Sequence, residues 1–347
     1  MYEIDFLPVR RRYGDAALGP CAIAVRLMVE SEDRRAIVVL GGGDLESGLD
    51  VVDHIRRYYD SDTVDLVIAT RPDARHLEGL AAVLEQLEVV EVLVHQPQTH
   101  DPDASRQLDL AALERLLAVA RDEGTTVTEP FSGVTRLDGQ VAILGPPKSY
   151  YQRLLAEIGD SGSTGSRTAK LDDAFPSTTL HTKAAGLFER TLSRLHVETL
   201  TNAGEVSPID NMSPVALLQV ADHRLLFTGE AGVPALKHAA DFFKSEYGGF
   251  ARRPLRFFQP PHHGRAESLS PRILDRVLGK PGRPHGKHCV AFIATTAGDD
   301  AHPTPQVVNA LERRACAVSA TAGRAACHAF DAPPRPDWQS LPPSSTG

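Results

Sequence analysis

The stretch Thr70-Arg71-Pro72-Asp73-Ala74-Arg75-His76-Leu77-Glu78-Gly79-Leu80 decides how the rest of the chain is read. Just before it, residues 64–69 form a short apolar run with the composition of a buried strand. Just after its charged part, Leu77, Leu80, Val83, Leu84 and Leu87 recur at helical spacing and predict an amphipathic helix. Arg71, Asp73, Arg75 and His76 are therefore expected on a polar loop at the C-terminal end of a strand.

Working outward, the same alternation continues. Strands are expected at residues 4–9, 21–29 and 36–40, the last ending in the tight turn Gly41-Gly42-Gly43-Asp44. Val51, Val52, Ile55 and Tyr58 then predict a helix. Residues 91–95 and 141–145 read as strands around a helix at 108–119. Residues 159–170 are too small and polar to bury anything, and a mobile loop is expected there. The second half predicts a hairpin at 215–228, a helix through Leu236 and Phe243, strands at 255–259 and 289–296, a helix at 305–314 and paired strands near 315–320 and 325–330. This is the pattern of a layered α/β protein without tandem repeats. One domain over residues 1–331 is expected, with a frayed Pro-rich tail at 332–347.

Composition narrows the class. With 347 residues, 42% hydrophobic and 24% charged, the chain is long and apolar enough for a full core. Its formal net charge of -8 does not imply a nucleic-acid partner. The cysteines at 21, 289, 316 and 327 lie far apart and form no CxxC pair, which points to a reducing cytoplasm. No export leader and no membrane span are expected.

The 70–80 loop resembles the metal-binding HxHxDH loop of the metallo-β-lactamase superfamily. In particular it is similar to the T-H-P-D-A-D-H-x-x-G-L variant of the hydrolase-like domain in ComEC-type DNA-uptake competence proteins and their soluble relatives. Other blocks fall in family order: Gly14-Asp15-Ala16, the Gly41-Gly42-Gly43 turn, residues 211–218, Leu226-Phe227-Thr228-Gly229-Glu230 for L-F-T-G-D, Pro261-His262-His263-Gly264 for the H-H-G motif, and Ala301-His302-Pro303 for a late G-H-P element. The resemblance spans roughly residues 2–330 and implies a four-layer αββα sandwich. Residues 41–43 lack the second half of a dinucleotide-binding fingerprint.

The resemblance also implies a metal centre, and this sequence departs from it at the ligands. The first metal would draw on positions 71, 73 and 230, but Arg71 has no lone pair to offer, because guanidinium stays protonated. The second would draw on positions 75, 76, 230 and 263, of which His76, Glu230 and His263 are donors and Arg75 is not. Two histidines and a carboxylate suit one zinc or manganese ion. A cation about 4 Å from a divalent ion costs several kcal/mol even at a screened dielectric of roughly 20. The implied function is thus a hydrolase-like protein with a degenerate centre, holding one metal or none. Its ancestral reaction would be water attack on a phosphodiester or a small-molecule ester, with Asp73 and His262 as the catalytic groups. The alternative takes Arg71 and Arg75 at face value, as an anion- or partner-binding pocket that needs no metal. His285, His288, Cys289, Cys327 and His328 are read as structural, Arg10 to Arg12 as a solvated basic edge, Glu230 by default as an acid facing a helix N-terminus.

Overall fold

The β-branched runs pair into two sheets in a computed structural model that describes residues 1–8, 21–163, 198–202, 204–282, 289–299 and 301–335. Among the described residues, β1 (Tyr2–Phe6), β2 (Ile23–Val29), β3 (Arg34–Leu40), β4 (Thr63–Ile68), β5 (Glu88–Leu93), β6 (Thr126–Thr128) and β14 (Ala326–Phe330) form one seven-stranded sheet, ordered β14-β1-β2-β3-β4-β5-β6. The other contains β7 (Thr135–Arg136), β8 (Val141–Gly145), β9 (Val215–Val220), β10 (His223–Phe227), β11 (Phe257–Gln259), β12 (Cys289–Ile293) and β13 (Cys316–Ala320), ordered β13-β12-β11-β10-β9-β8-β7. Residues pointing inward from both sheets, among them Ile4, Phe6, Val25, Leu27, Ile143, Leu218, Phe227 and Phe257, make one dry core between them. On the outside of the first sheet lie α1 (Leu45–His54), α2 (Ala74–Gln86) and α3 (Ala111–Asp122). On the outside of the second lie α4 (Lys148–Ser163), α5 (Val233–Tyr247), α6 (Pro271–Val277) and α7 (Pro305–Glu312). The four-layer αββα sandwich expected from the sequence is the architecture that forms.

The strands next to the site run parallel: β3, β4, β5 and β6 in one sheet, β10, β11, β12 and β13 in the other. Parallel strands with helical crossovers place all their following loops along one rim of the sheet. The loops after β4, β10 and β11 carry the residues singled out above.

Differences from expectation are local. β1 ends at Phe6 and β5 at Leu93, leaving Val94 and His95 beyond the strand. The helix expected near Val51 starts at Leu45 and continues as a π-helical turn, Ile55–Tyr59. That wider turn brings His54 Nε2 to 2.9 Å and the Tyr59 hydroxyl to 2.7 Å from the same oxygen of Asp5, a fully buried carboxylate on β1. Arg335 joins from the tail, 2.8 Å from Asp5 and 2.6 Å from Glu3, so the chain is tied down three residues past Ala332 instead of fraying there. Residues 159–163 of the expected loop are the end of α4; residues 164–170, 10–12, 14–16, 285 and 288 lie outside the described residues. No helix among the described residues is long and apolar enough to cross a membrane.

The docking of α2 on α1 fixes where the polar loop points. A β-carbon on Gly79 would sit 2.1 Å from the Gly42 carbonyl oxygen, and one on Gly48 would sit 2.2 Å from the Gly79 carbonyl oxygen. The Gly79 amide also donates to Gly43 O at 3.0 Å. Backbone meets backbone here, so neither neighbour can move aside cheaply. Gly79→Ala should lower the urea midpoint by an amount worth about 1–3 kcal/mol, because overpacking outweighs the roughly 1 kcal/mol that alanine gains in a helix. A midpoint unchanged or raised would show that the helices can separate without loss.

Candidate functional site

The loop after β4 is held to its neighbours by backbone bonds, Ala69 N to Leu93 O and Gly41 N to Ile68 O, both 2.9 Å. Asp73 occupies the N-cap position of α2 in extended geometry, yet its side chain makes no capping bond. It turns to the pocket instead. Its Oδ1 accepts from His76 Nδ1 at 2.8 Å, and its Oδ2 lies 2.8 Å from Arg71 Nε, an ion contact too bent to count as a hydrogen bond. Arg71 Nη1 donates to Asp210 Oδ1 at 2.5 Å. Asp210 sits on the short helical turn Pro208–Asn211, where Ser207 caps its amide at 3.2 Å and donates to its Oδ2 at 2.8 Å. The Arg71 guanidinium thus joins the β4 loop to a segment 139 residues away.

The facing wall comes from the second sheet. Gln259, buried at the end of β11, accepts from the amides of Thr228 and Gly229 at 2.8 and 3.0 Å and holds the turn that presents Glu230. Ser213 Oγ accepts from the Glu230 amide at 3.0 Å. Glu230 precedes α5, but its carboxylate faces the histidines: Oε1 is 3.9 Å from His76 Nε2 and Oε2 is 3.5 Å from His262 Nδ1. His262 Nδ1 also lies 3.8 Å from Asp210 Oδ2, and its Nε2 accepts from Arg265 at 3.1 Å. His262 and His263 both have positive φ, 49° and 55°, a conformation that side-chain-bearing residues rarely hold without compensation from their surroundings. Part of that compensation is the His262 amide bond to Gly229 O at 3.0 Å. His263 Nδ1 donates to Ala294 O at 2.7 Å.

Charges in this pocket reinforce one another. Burial works to raise the pKa of Asp73, but His76, Arg71 and Arg75 outweigh it and hold the carboxyl far below its usual range. Burial works to lower that of His76, and Asp73 and Glu230 reverse it, so the imidazole is favoured as a cation. Glu230 is likewise kept ionised against burial by His262, His76 and His263. His262 goes the other way: burial pulls it down to about 4 despite Glu230 and Asp210, leaving it neutral near pH 7.

The sequence pattern implies a metal at this pocket. Zinc needs lone pairs converging within about 2.3 Å of one point. Arg71 offers no lone pair, and both Asp73 oxygens already face cations. Among the described residues, no three His, Cys, Asp or Glu side chains gather as a metal-binding group. His263 does keep Nδ1 as donor, the tautomer that leaves Nε2 for a metal. Yet the expected trio of His76, Glu230 and His263 is not drawn together as ligands. The residues present do not fit the ion pair of the family pattern, nor, as they are placed, a single zinc or manganese.

Asp73, His76, His262, Glu230 and Arg71 thus share one pocket, with His263 adjoining. Arg75 is half-buried on the first turn of α2 and close enough to depress Asp73. His302 is bonded to Asp299 at 3.2 Å, within electrostatic reach of His263. Sequence reasoning missed Asp210, Ser213 and Gln259. Ser207 and Asp210 do form a Ser-x-x-Asp helix-start pattern, which signals a cap and not a pocket residue.

No family model matches the chain, and no curated protein does. Among solved structures it is similar to a Thermotoga maritima protein provisionally described as a metallo-beta-lactamase, at 12% identity and a TM-score of 0.33, over 66% of this chain and 78% of that one. A match that loose carries no argument about chemistry; the layered fold stands on its own sheet order and helix placement.

Proposed function

We propose that this chain is a metallo-β-lactamase-fold protein, akin to the competence-type hydrolases, whose centre has been rebuilt around arginine and supports little or no metal-dependent ester hydrolysis. The observation that carries this reading is the Arg71 guanidinium, buried and in contact with both Asp73 and Asp210. A guanidinium there supplies internally the positive charge that carboxylates at the rim of such a sandwich otherwise take from a bound cation. His76, held as a cation between Asp73 and Glu230, acts in the same sense.

A pocket of this kind retains polar groups but lacks an activated water. Asp73 is too strongly stabilised as an anion to serve as an effective base near pH 7, and its oxygens are engaged by His76 and Arg71. The neutral His262, facing Glu230 and Asp210, could still position a polar group of a ligand. The anion-binding alternative gains less support from the geometry, since two carboxylates already surround the charge of Arg71.

Metal retention and stability both test this reading. Protein incubated with excess zinc or manganese and then desalted should retain well under one ion per chain, and its turnover of an activated phosphodiester should not exceed that of His263→Ala; two tightly held ions with turnover abolished in that variant would overturn the proposal. Arg71→Met should destabilise the fold by about 3 kcal/mol or more, since removing one partner leaves Asp73 and Asp210 uncompensated in a buried place. Adding Asp210→Asn to that variant should recover part of the loss, and strict additivity in this double-mutant cycle would show that the pair is not coupled. Stabilisation of the unaltered chain by phosphate, lost in Arg75→Ala, would favour the anion-binding alternative instead.

A further inference from the structure

Two of the chain's four cysteines stand side by side and play no part in the centre described above. Cys289 opens β12 and Cys316 opens β13, and the two are directly opposite in the parallel register of the second sheet. Register partners on neighbouring strands point to the same face of a sheet. Both side chains accordingly lie in the apolar layer between this sheet and its helices. Both are free thiols, Cys289 5% exposed and Cys316 fully buried. The other two cysteines belong to the first sheet: Cys21 just precedes β2, and Cys327 stands across from Asp5 of β1.

Stereochemistry allows these two sulfurs to bond. Neighbouring strands run about 4.8 Å apart, inside the range of roughly 4.4–6.8 Å between α-carbons that a disulfide spans. The thiols already bear on each other. Cys316 is the largest influence on the Cys289 thiol, ahead of burial, and together they push its pKa well above the usual range. The Cys289 thiol also donates to Val290 O at 3.6 Å, a weak bond that rotation of the side chain gives up at little cost. Among the described residues β13 is the outermost strand of its sheet, paired with β12 alone, and can shift slightly as the bond forms.

We propose that Cys289 and Cys316 are an oxidation site, closing to a disulfide across β12 and β13 when met by a small peroxide-class oxidant. Cys289 reacts first, as the member of the pair that keeps some exposure. Its thiolate attacks one peroxide oxygen, the O–O bond breaks, and the departing hydroxide takes up the thiol proton as water, leaving a sulfenic acid. The Cys316 sulfur then attacks that of Cys289, the S–O bond breaks, and the hydroxyl leaves as a second water with the Cys316 proton. Two thiols thus give up two electrons, and one peroxide is reduced to two waters. Because the thiolate is the attacking form, the raised pKa of Cys289 makes the first step slow near pH 7 and suits it to sustained exposure. The closed ring spans residues 289–316 and includes Ala294, whose carbonyl accepts from His263, so the bond restrains a segment that supports the pocket rim. This inference stands whether or not that pocket binds metal.

The test is incubation of the full chain for hours with excess hydrogen peroxide at about pH 8.5, where more of the thiol is ionised. Remaining thiols are then alkylated under denaturing conditions and the peptides mapped by mass spectrometry. The expected product is a peptide pair joined from Cys289 to Cys316, which dithiothreitol separates. Cys316→Ala should abolish the link and leave sulfenic or sulfinic acid at Cys289. Closing a ring of this length restricts the unfolded chain, so the linked protein should melt a few degrees higher than the reduced one. A midpoint unchanged or lowered would show that the bond strains the sheet and overturns the proposal. So does the absence of a link in the unaltered chain, a link from either residue to Cys21 or Cys327, or sulfinic acid at Cys289 in place of the link; none of these readouts needs the variant to fold.

Discussion

A guanidinium buried between two carboxylates is the constraint around which the pocket is arranged. Arg71, at the rim of the first sheet, touches Asp73 of its own loop and Asp210 of a segment that the second sheet supports. An unpaired charge in such a place costs several kcal/mol, so each member of the trio fixes the others. The loop after β4, the capped turn at Pro208–Asn211 and the first turn of α2 are joined by this contact, beside the buried apolar side chains of Ala69, Leu77, Ile209 and Met212.

The electrostatic consequence reaches further than the trio. Arg71 contacts Asp73, Asp73 bonds His76, and His76 approaches Glu230, so positive and negative groups alternate across the pocket as far as the neutral His262. In a low-dielectric interior such alternation stabilises every charged member at once. On the reading proposed above, the same alternation keeps Asp73 engaged by cations and strongly ionised, which makes it a poor general base. The backbone strain at His262 and His263 persists in this setting, held by the hydrogen bonds of His262 N to Gly229 and of His263 Nδ1 to Ala294.

A second polar network, centred on β1, shares no residue with the pocket. Asp5 and Glu3 are both buried on β1; His54, Tyr59 and Arg335 bond Asp5 Oδ2, and Arg26 and Arg335 bond Glu3. Its geometry depends on a π-turn at the end of α1 and on a residue from the C-terminal tail. Buried acids on a first strand therefore join the two ends of the described chain.

The sequence by itself determined the layers: β-branched runs separated by helical patterns can bury their apolar faces only in a stacked α/β arrangement, and the 70–80 loop between a strand and a helix had to lie at a sheet rim. It also determined that Arg71 and Arg75 could not be ligands, since that follows from the side chains alone. What only the tertiary structure decided was which distant groups meet them. Asp210 carried the local signature of a helix start, Gln259 that of a strand end, and Cys289 and Cys316 those of ordinary core positions. Their roles arise from contacts between segments far apart in the chain, where no local periodicity or spacing records who the neighbour will be. The helix expected at Val51 ran into a π-turn for the same reason, because a buried carboxylate on another strand was there to be satisfied.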